Sequence, residues 1–266
     1  MIDLSRIDYA HMDRPEILLF LFHPRGEYRG AEKPPNAVDV LIPVEENMVV
    51  GARFHGAERS APNLLFFHGN GEIVADYDEM GPLYNRMGIN FLAVDYRGYG
   101  RSTGSPTITA MMRDCHLIFE FTSKWLEDTG CTGPLIAMGR SLGSASALEL
   151  ASHHKDRMSG LIIESGFAYA GPLLRRLGIN PDAMGFKEEK GFRNLEKIKT
   201  WDKPALIIHA EQDHIIPFSD GEALYRACPA PDKTLLKVRG ANHNDILIRG
   251  FDDYMNAVKD LAKRAG

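Results

Sequence analysis

The segment Pro134-Leu-Ile-Ala-Met-Gly-Arg-Ser-Leu-Gly-Ser-Ala-Ser-Ala-Leu-Glu-Leu-Ala-Ser-His153 constrains the fold of this chain more than any other stretch. It reads as a buried strand, a sharp turn and a helix built from small residues. At the turn sits Gly139-Arg140-Ser141-Leu142-Gly143, a G-x-S-x-G pattern. In a strand–turn–helix setting this pattern is a nucleophile elbow. A serine on so sharp a turn has a strained backbone and crowded neighbours, and glycine on either side relieves the crowding because it has no Cβ. Ser141 then stands at the end of a central strand, beside the N–H groups that open the next helix. Such groups can bind an oxyanion. The bare pattern also arises by chance in glycine-rich loops, so its flanks and its distant partners carry the argument.

The rest of the chain supports a sheet around that elbow. Residues 38–44 and 48–55 alternate as two strands joined by Glu45-Glu46-Asn47, an antiparallel hairpin. From residue 61 short apolar runs alternate with amphipathic stretches. Strands are expected at 63–67, 90–94, 135–138, 160–163, 205–209 and 234–238, and helices at 76–87, 108–127, 142–153 and 252–263. That alternation predicts an α/β fold: a mostly parallel sheet of about eight strands with helices on both faces. All 266 residues are expected in one domain. Residues 1–36 form an N-terminal extension without clear periodicity. Residues 166–200 form an insertion with short helices at 168–177 and 188–199, sized for a small lid over a site.

Composition narrows the function classes. Hydrophobic content of 44% and charged content of 25% are those of an ordinary globular protein. A net charge of −5, with no Lys/Arg-rich run, speaks against a nucleic-acid partner. The apolar run 17–22 is too short to span a bilayer and follows Asp3, Asp8 and Asp13 rather than a basic region. It is read as a core or docking segment, so no stable membrane anchor is expected and the cytoplasm is favoured. Cys115, Cys131 and Cys228 are irregularly spaced and form neither a disulfide framework nor a zinc pattern. No H-E-x-x-H spacing occurs, and His153-His154 close a helix, where they would meet its dipole rather than a metal. Neither a metal nor an organic cofactor is expected.

A serine hydroxyl is a poor nucleophile until a base removes its proton and a carboxylate fixes the tautomer of that base. With the order Ser, acid, His, the base is His243, in the turn-rich loop Arg239-Gly-Ala-Asn-His-Asn-Asp245 after the last strand. The acid is Asp213, in the loop after the penultimate strand. Glu164, at the end of the strand before that, is its rival, with Glu211 and Asp245 behind. A second oxyanion donor besides the Leu142 N–H is expected in Phe66-Phe67-His68-Gly69-Asn70-Gly71, at Asn70 ahead of Gly71. His68 is assigned to supporting that loop. Asp95 and Arg97 are assigned to bracing the glycine-rich loop behind the site, and Arg140 is given no chemistry. Ile73, Phe167, Tyr169, Ile215 and Ile216 are candidates for an apolar acyl pocket.

With these segments in order, the chain resembles the α/β-hydrolase superfamily. The likeness runs through His68-Gly-Asn-Gly71, Asp95-Tyr-Arg-Gly-Tyr-Gly-Arg-Ser102, Gly139-Arg-Ser-Leu-Gly143, the Asp213 loop to Pro217, and Gly240-Ala-Asn-His-Asn-Asp245. Within that superfamily it is most similar to small-lid serine hydrolases: esterases, acyl-protein thioesterases of the depalmitoylating kind, and bacterial relatives. The resemblance implies a Ser141–Asp213–His243 triad, Asn70 and Leu142 as oxyanion donors, and a small-molecule or acyl substrate cleaved as an ester or thioester. It also leaves open amide or peptide cleavage, acyl transfer, and a non-catalytic scaffold. The N-terminal 60 residues lie outside the likeness. The chain shows no N-terminal cysteine cluster or basic patch for membrane attachment.

Overall fold

The computed structural model describes residues 2–28 and 33–266. Its centre is an eight-stranded sheet: β1 (Ala37–Glu45), β2 (Met48–His55), β3 (Asn63–Phe67), β4 (Asn90–Val94), β5 (Leu135–Arg140), β6 (Gly160–Glu164), β7 (Ala205–Ala210) and β8 (Lys233–Val238), in the spatial order β1-β2-β4-β3-β5-β6-β7-β8. The first two strands pair antiparallel, as the hairpin predicts, and β2 pairs antiparallel with β4. The remaining pairs are parallel. The chain leaves β3 toward one edge and returns past it to β5 on the other side. The C-terminal ends of β3 and β5 therefore adjoin where the winding reverses, the place where sheets of this kind bind ligands.

Nine α-helices flank the described sheet: α1 (Pro15–Leu21), α2 (Met80–Arg86), α3 (Ile108–Asp128), α4 (Ser144–His154), α5 (Ala170–Arg176), α6 (Asn194–Ile198), α7 (Phe218–Ala227), α8 (Ile246–Arg249) and α9 (Phe251–Arg264). Strand residues alternate between two cores, as a pleat requires. Leu65 and Phe67 face one core with α1 and α3–α7, whereas Leu64 and Phe66 face the other with α2, α8 and α9. Both faces are covered, so these strands are apolar throughout. Each such side chain taken from water contributes roughly 1.5–3 kcal/mol.

Two expected helices are each divided. The helix expected over 76–87 is divided into a 3-10 turn, Val74–Tyr77, and α2, because Gly81 and Pro82 allow a new helix start but no continuous ladder. The helix expected over 188–199 is likewise broken, into a 3-10 turn, Glu188–Lys190, and α6, with Arg193 left-handed just before α6. The apolar run 17–22, read as a core or docking segment, lies in and just beyond α1, which Pro15 opens; Ile17, Leu21 and Phe22 are buried, and Leu19 and Phe20 are exposed. Helices α7 and α8 had no expected counterpart. Among the described residues, no helix is long and apolar enough to cross a membrane. Cys115 and Cys228 are buried and free.

Candidate active site

Strand β5 ends at Arg140, and Ser141 follows with φ +50°, a left-handed conformation rare for a residue with a Cβ. Its neighbours explain how the turn closes. A Cβ on Gly139 would lie 2.2 Å from the Gly143 carbonyl oxygen, and a Cβ on Gly143 would lie 2.1 Å from the Phe67 carbonyl oxygen. Gly143 thus seats the start of the elbow helix directly on the end of β3. The Ser144 hydroxyl donates to the Ser141 carbonyl at 2.6 Å and steadies the turn. Beyond it α4 is almost wholly buried, since Ser144, Ala145, Ser146 and Ala147 are small enough to approach the sheet.

Three side chains from distant segments meet here. His243 Nε2 lies 2.9 Å from Ser141 Oγ, and His243 Nδ1 lies 2.7 Å from Asp213 Oδ2. An ionised carboxylate only accepts, so Nδ1 carries the imidazole hydrogen and Nε2 is free to accept from the hydroxyl. Asp213 Oδ1 accepts from the Ile215 and Ile216 N–H groups at 2.9 and 2.8 Å, which fixes the carboxylate in its loop. Burial pushes the Asp213 carboxyl up. The hydrogen bond and charge of His243, the Ile216 N–H and nearby His209 outweigh it, and the group ends below the usual carboxylate range. The His243 loop is pinned in turn by Asp245 Oδ1, which accepts from the Asn242 N–H at 2.7 Å.

The rival acids lie elsewhere. Glu164 accepts from Arg140 Nε at 3.1 Å and from the Tyr254 hydroxyl at 2.7 Å. Glu211 accepts from the Gly240 N–H at 3.0 Å, and Asp245 holds its own loop and Arg249. His68 is fully buried, with Nδ1 donating to the Gly69 carbonyl at 2.7 Å and Nε2 3.3 Å from Asp95 Oδ1. Asp95 also accepts from the Val74 N–H at 2.9 Å, and Arg97 binds Asp114 and Glu45.

The Asn70 N–H donates to no other group among the described residues. The first N–H groups of a helical turn, such as that begun by Ser141-Leu142, lack acceptors within the turn. Asn70 is held by its side chain: Oδ1 accepts from the His23 N–H and the Tyr99 hydroxyl, both at 2.8 Å. Arg25 Nε donates to the Gly71 carbonyl at 2.7 Å and pairs with Asp76. The N-terminal segment is therefore bound to the 70–71 loop. Nothing in the local sequence of residues 1–36 signals that contact.

Of the apolar candidates, Ile73, Phe167 and Ile216 are buried in the core and Ile215 is half-buried, while Tyr169 is 38% exposed. Arg140 has more to do than sequence reasoning assigned it. Its guanidinium pairs with Glu72 and Glu164 and donates through Nη2 to the His243 carbonyl at 2.9 Å. The nearest signal in the sequence is the acidic Glu72 in a loop expected to bind an anion.

A second polar cluster lies between α3, α4 and α6. Donor atoms of His116, Glu149 and His153 lie within 4.8 Å of one another, spacing a cation could bridge. Each is already engaged. His116 Nε2 is 3.2 Å from Glu149 Oε1 and its Nδ1 is 2.9 Å from His154 Nε2. The second Glu149 oxygen is 2.6 Å from Lys197 Nζ, and His153 Nδ1 donates to the Glu149 carbonyl at 3.0 Å. A buried ammonium on the one carboxylate fits poorly with a metal there. His153 and His154 meet side chains of α3 and the backbone of their own helix rather than only its dipole.

The sequence model of the family described as serine aminopeptidase, S33, matches residues 59–181. Human α/β-hydrolase domain-containing protein 17B is 31% identical over 219 residues, covering 77% of this chain and 69% of that protein. Mouse α/β-hydrolase domain-containing protein 17C is 28% identical over 248 residues, covering 89% of this chain and 71% of that protein. Among solved structures, an esterase from Pyrococcus furiosus superposes with a TM-score of 0.72 at 21% identity, covering 92% of this chain and all of that one, a likeness of fold.

Proposed function

This chain belongs to the α/β-hydrolase family that includes the domain-containing proteins 17B and 17C and is a hydrolase; from that premise we propose that it cleaves a carboxylic ester or thioester through an acyl-enzyme on Ser141. One observation carries the reading: a hydroxyl on a strained turn, an imidazole and a carboxylate stand in series at 2.9 and 2.7 Å. In this reading His243 Nε2 takes the hydroxyl proton as Ser141 Oγ adds to the substrate carbonyl. Asp213 holds the ring and stabilises the imidazolium. The Asn70 and Leu142 N–H groups stabilise the tetrahedral oxyanion. Collapse expels the alcohol or thiol, which takes the proton from His243. Water then adds to the acyl-enzyme by the same route and releases the acid. No metal takes part in these steps.

Residues 166–200 act as a small lid on a single domain that spans the chain, with residues 1–36 as its N-terminal extension. Tyr169 and Ile215 offer apolar surface to an acyl group, while Phe167, Ile73 and Ile216 back it from the core. The family model described as a serine aminopeptidase favours a second reading, amide cleavage, in which His243 must protonate an amine leaving group. The deciding experiment is a panel of p-nitrophenyl esters from C2 to C12, acyl thioesters and aminoacyl anilides, with wild type beside Ser141→Ala. Turnover confined to esters or thioesters and lost with Ser141 upholds the proposal. Turnover of anilides alone selects the second reading. A wild type inert to the panel and to a fluorophosphonate probe removes both.

A further inference from the structure

The side chain that precedes Ser141 takes no part in the proposed reaction, yet it touches both the loop that carries His243 and, through Glu72, the loop that carries Asn70. The Arg140 side chain is only 12% exposed, and all three guanidinium nitrogens are used. Nη2 donates to the carbonyl of His243 at 2.9 Å, and Nε donates to Glu164 Oε1 at 3.1 Å. Nη1 binds Glu72 Oε1, whose partner oxygen accepts from the Gly69 N–H and the Tyr77 hydroxyl, each at 2.6 Å. Gly69 directly precedes Asn70. A Cβ on Gly69 would lie 2.8 Å from Arg140 Nη1, so the loop is closed down on that pair. The third anchor is rigid: Arg140 and Glu164 are register partners on β5 and β6, and Tyr254 holds the far carboxylate oxygen.

A planar fork with fixed donor directions is suited to such a junction in a way that a lysine ammonium is not. Two carboxylates face one guanidinium, so the positive charge is fully compensated. Its value lies in geometry rather than in a field directed at substrate. We propose that Arg140 is a positioning residue for the reaction proposed above, on which this inference rests. It locks the base loop and the oxyanion loop to the turn that carries the nucleophile. Misplacing catalytic groups by about 1 Å can cost roughly 100-fold in rate.

The test uses the full chain with Arg140→Gln, Arg140→Ala, Arg140→Lys, Glu72→Gln and the Arg140→Gln/Glu72→Gln double variant, each normalised to its folded fraction. Arg140→Gln is expected to lower kcat roughly 100-fold with KM little changed, since the loss is one of alignment. The Lys variant recovers only part of this. The double variant loses no more than the worse single, as expected for one connected network. A cavity of about 250 Å³ borders Arg140, Glu72 and Glu164. Dilute guanidinium should therefore refill the gap in Arg140→Ala and raise kcat, an effect that mere destabilisation would not produce. A kcat for Arg140→Gln within about threefold of wild type, or losses that multiply in the double variant, overturns the proposal. Should wild type itself fail to react with fluorophosphonate, the reaction fails, but the positioning is still read by NMR. The His243 Nδ1 proton resonance present in wild type and lost in Arg140→Gln upholds it; an unchanged resonance sinks it.

Discussion

Two histidine–carboxylate clusters lie along one helix, and chemistry is proposed for only one of them. At the start of α4, His243 stands between Asp213 and a hydroxyl on a strained turn. Farther along, with Glu149 and His154 roughly 8 and 15 Å from the first residue of the helix, His116 stands between Glu149 and His154, and Glu149 also meets Lys197. Burial and hydrogen bonding are similar. The difference is the third partner. A hydroxyl can surrender a proton and attack a carbonyl, whereas the second cluster puts another imidazole, His154, on the far ring nitrogen and an ammonium, Lys197, on the carboxylate. A buried histidine beside a carboxylate is thus no site by itself. The Gly139 and Gly143 contacts that force Ser141 into place supply what the second cluster lacks.

The sharpest way to test that contrast is to remove the hydroxyl. Ser141→Ala is expected to lower kcat by about 10⁶-fold while leaving the thermal midpoint nearly unchanged, measured by ester turnover beside calorimetry. Activity that survives would mean that the first cluster is as inert as the second. Asp213→Asn comes next, with a loss on the order of 10⁴-fold as the imidazole takes the wrong tautomer. Fluorophosphonate labelling rates measure it without a known substrate.

The second cluster should answer in stability instead. Glu149→Gln leaves Lys197 buried without its counter-charge and is expected to cost about 3 kcal/mol in urea unfolding, with kcat per folded molecule unchanged. A fall in kcat would show that the two ends of α4 are coupled. The last test is one of pH. Burial first, then neighbouring His116, push the His154 imidazole down to about 4 from its usual 6.5. Below about pH 6.5 the unfolded chain takes up a proton that the folded chain refuses. Stability from this group is therefore full above 6.5 and declines as the pH falls toward 4. Urea midpoints from pH 7 to 4 should drop less steeply in His154→Gln than in wild type, and parallel slopes would refute the assignment.

Much of the fold could be read because buried parallel strands write themselves as short unbroken apolar runs. Residues 63–67 and 90–94 are strands over the lengths the sequence suggests. Helix α7 was missed because Gly221 interrupts it. A Cβ there would lie 2.6 Å from His209 Nδ1, so packing demands the residue that spoils the helical pattern. Helix α1 was missed because its apolar residues run continuously instead of at helical spacing. The elbow stood out because strand, turn and small-residue helix are local signals. The Arg140 junction could not be seen, since Glu72, Glu164 and His243 approach it from three separate stretches of chain.

The strap formed by His23 and Arg25 across Asn70 and Gly71 has a consequence for how the protein matures. This strap leaves the ribosome well before the loop it fastens and before Tyr99, which completes the clasp. Competence should therefore arrive late, when an early segment docks on later ones.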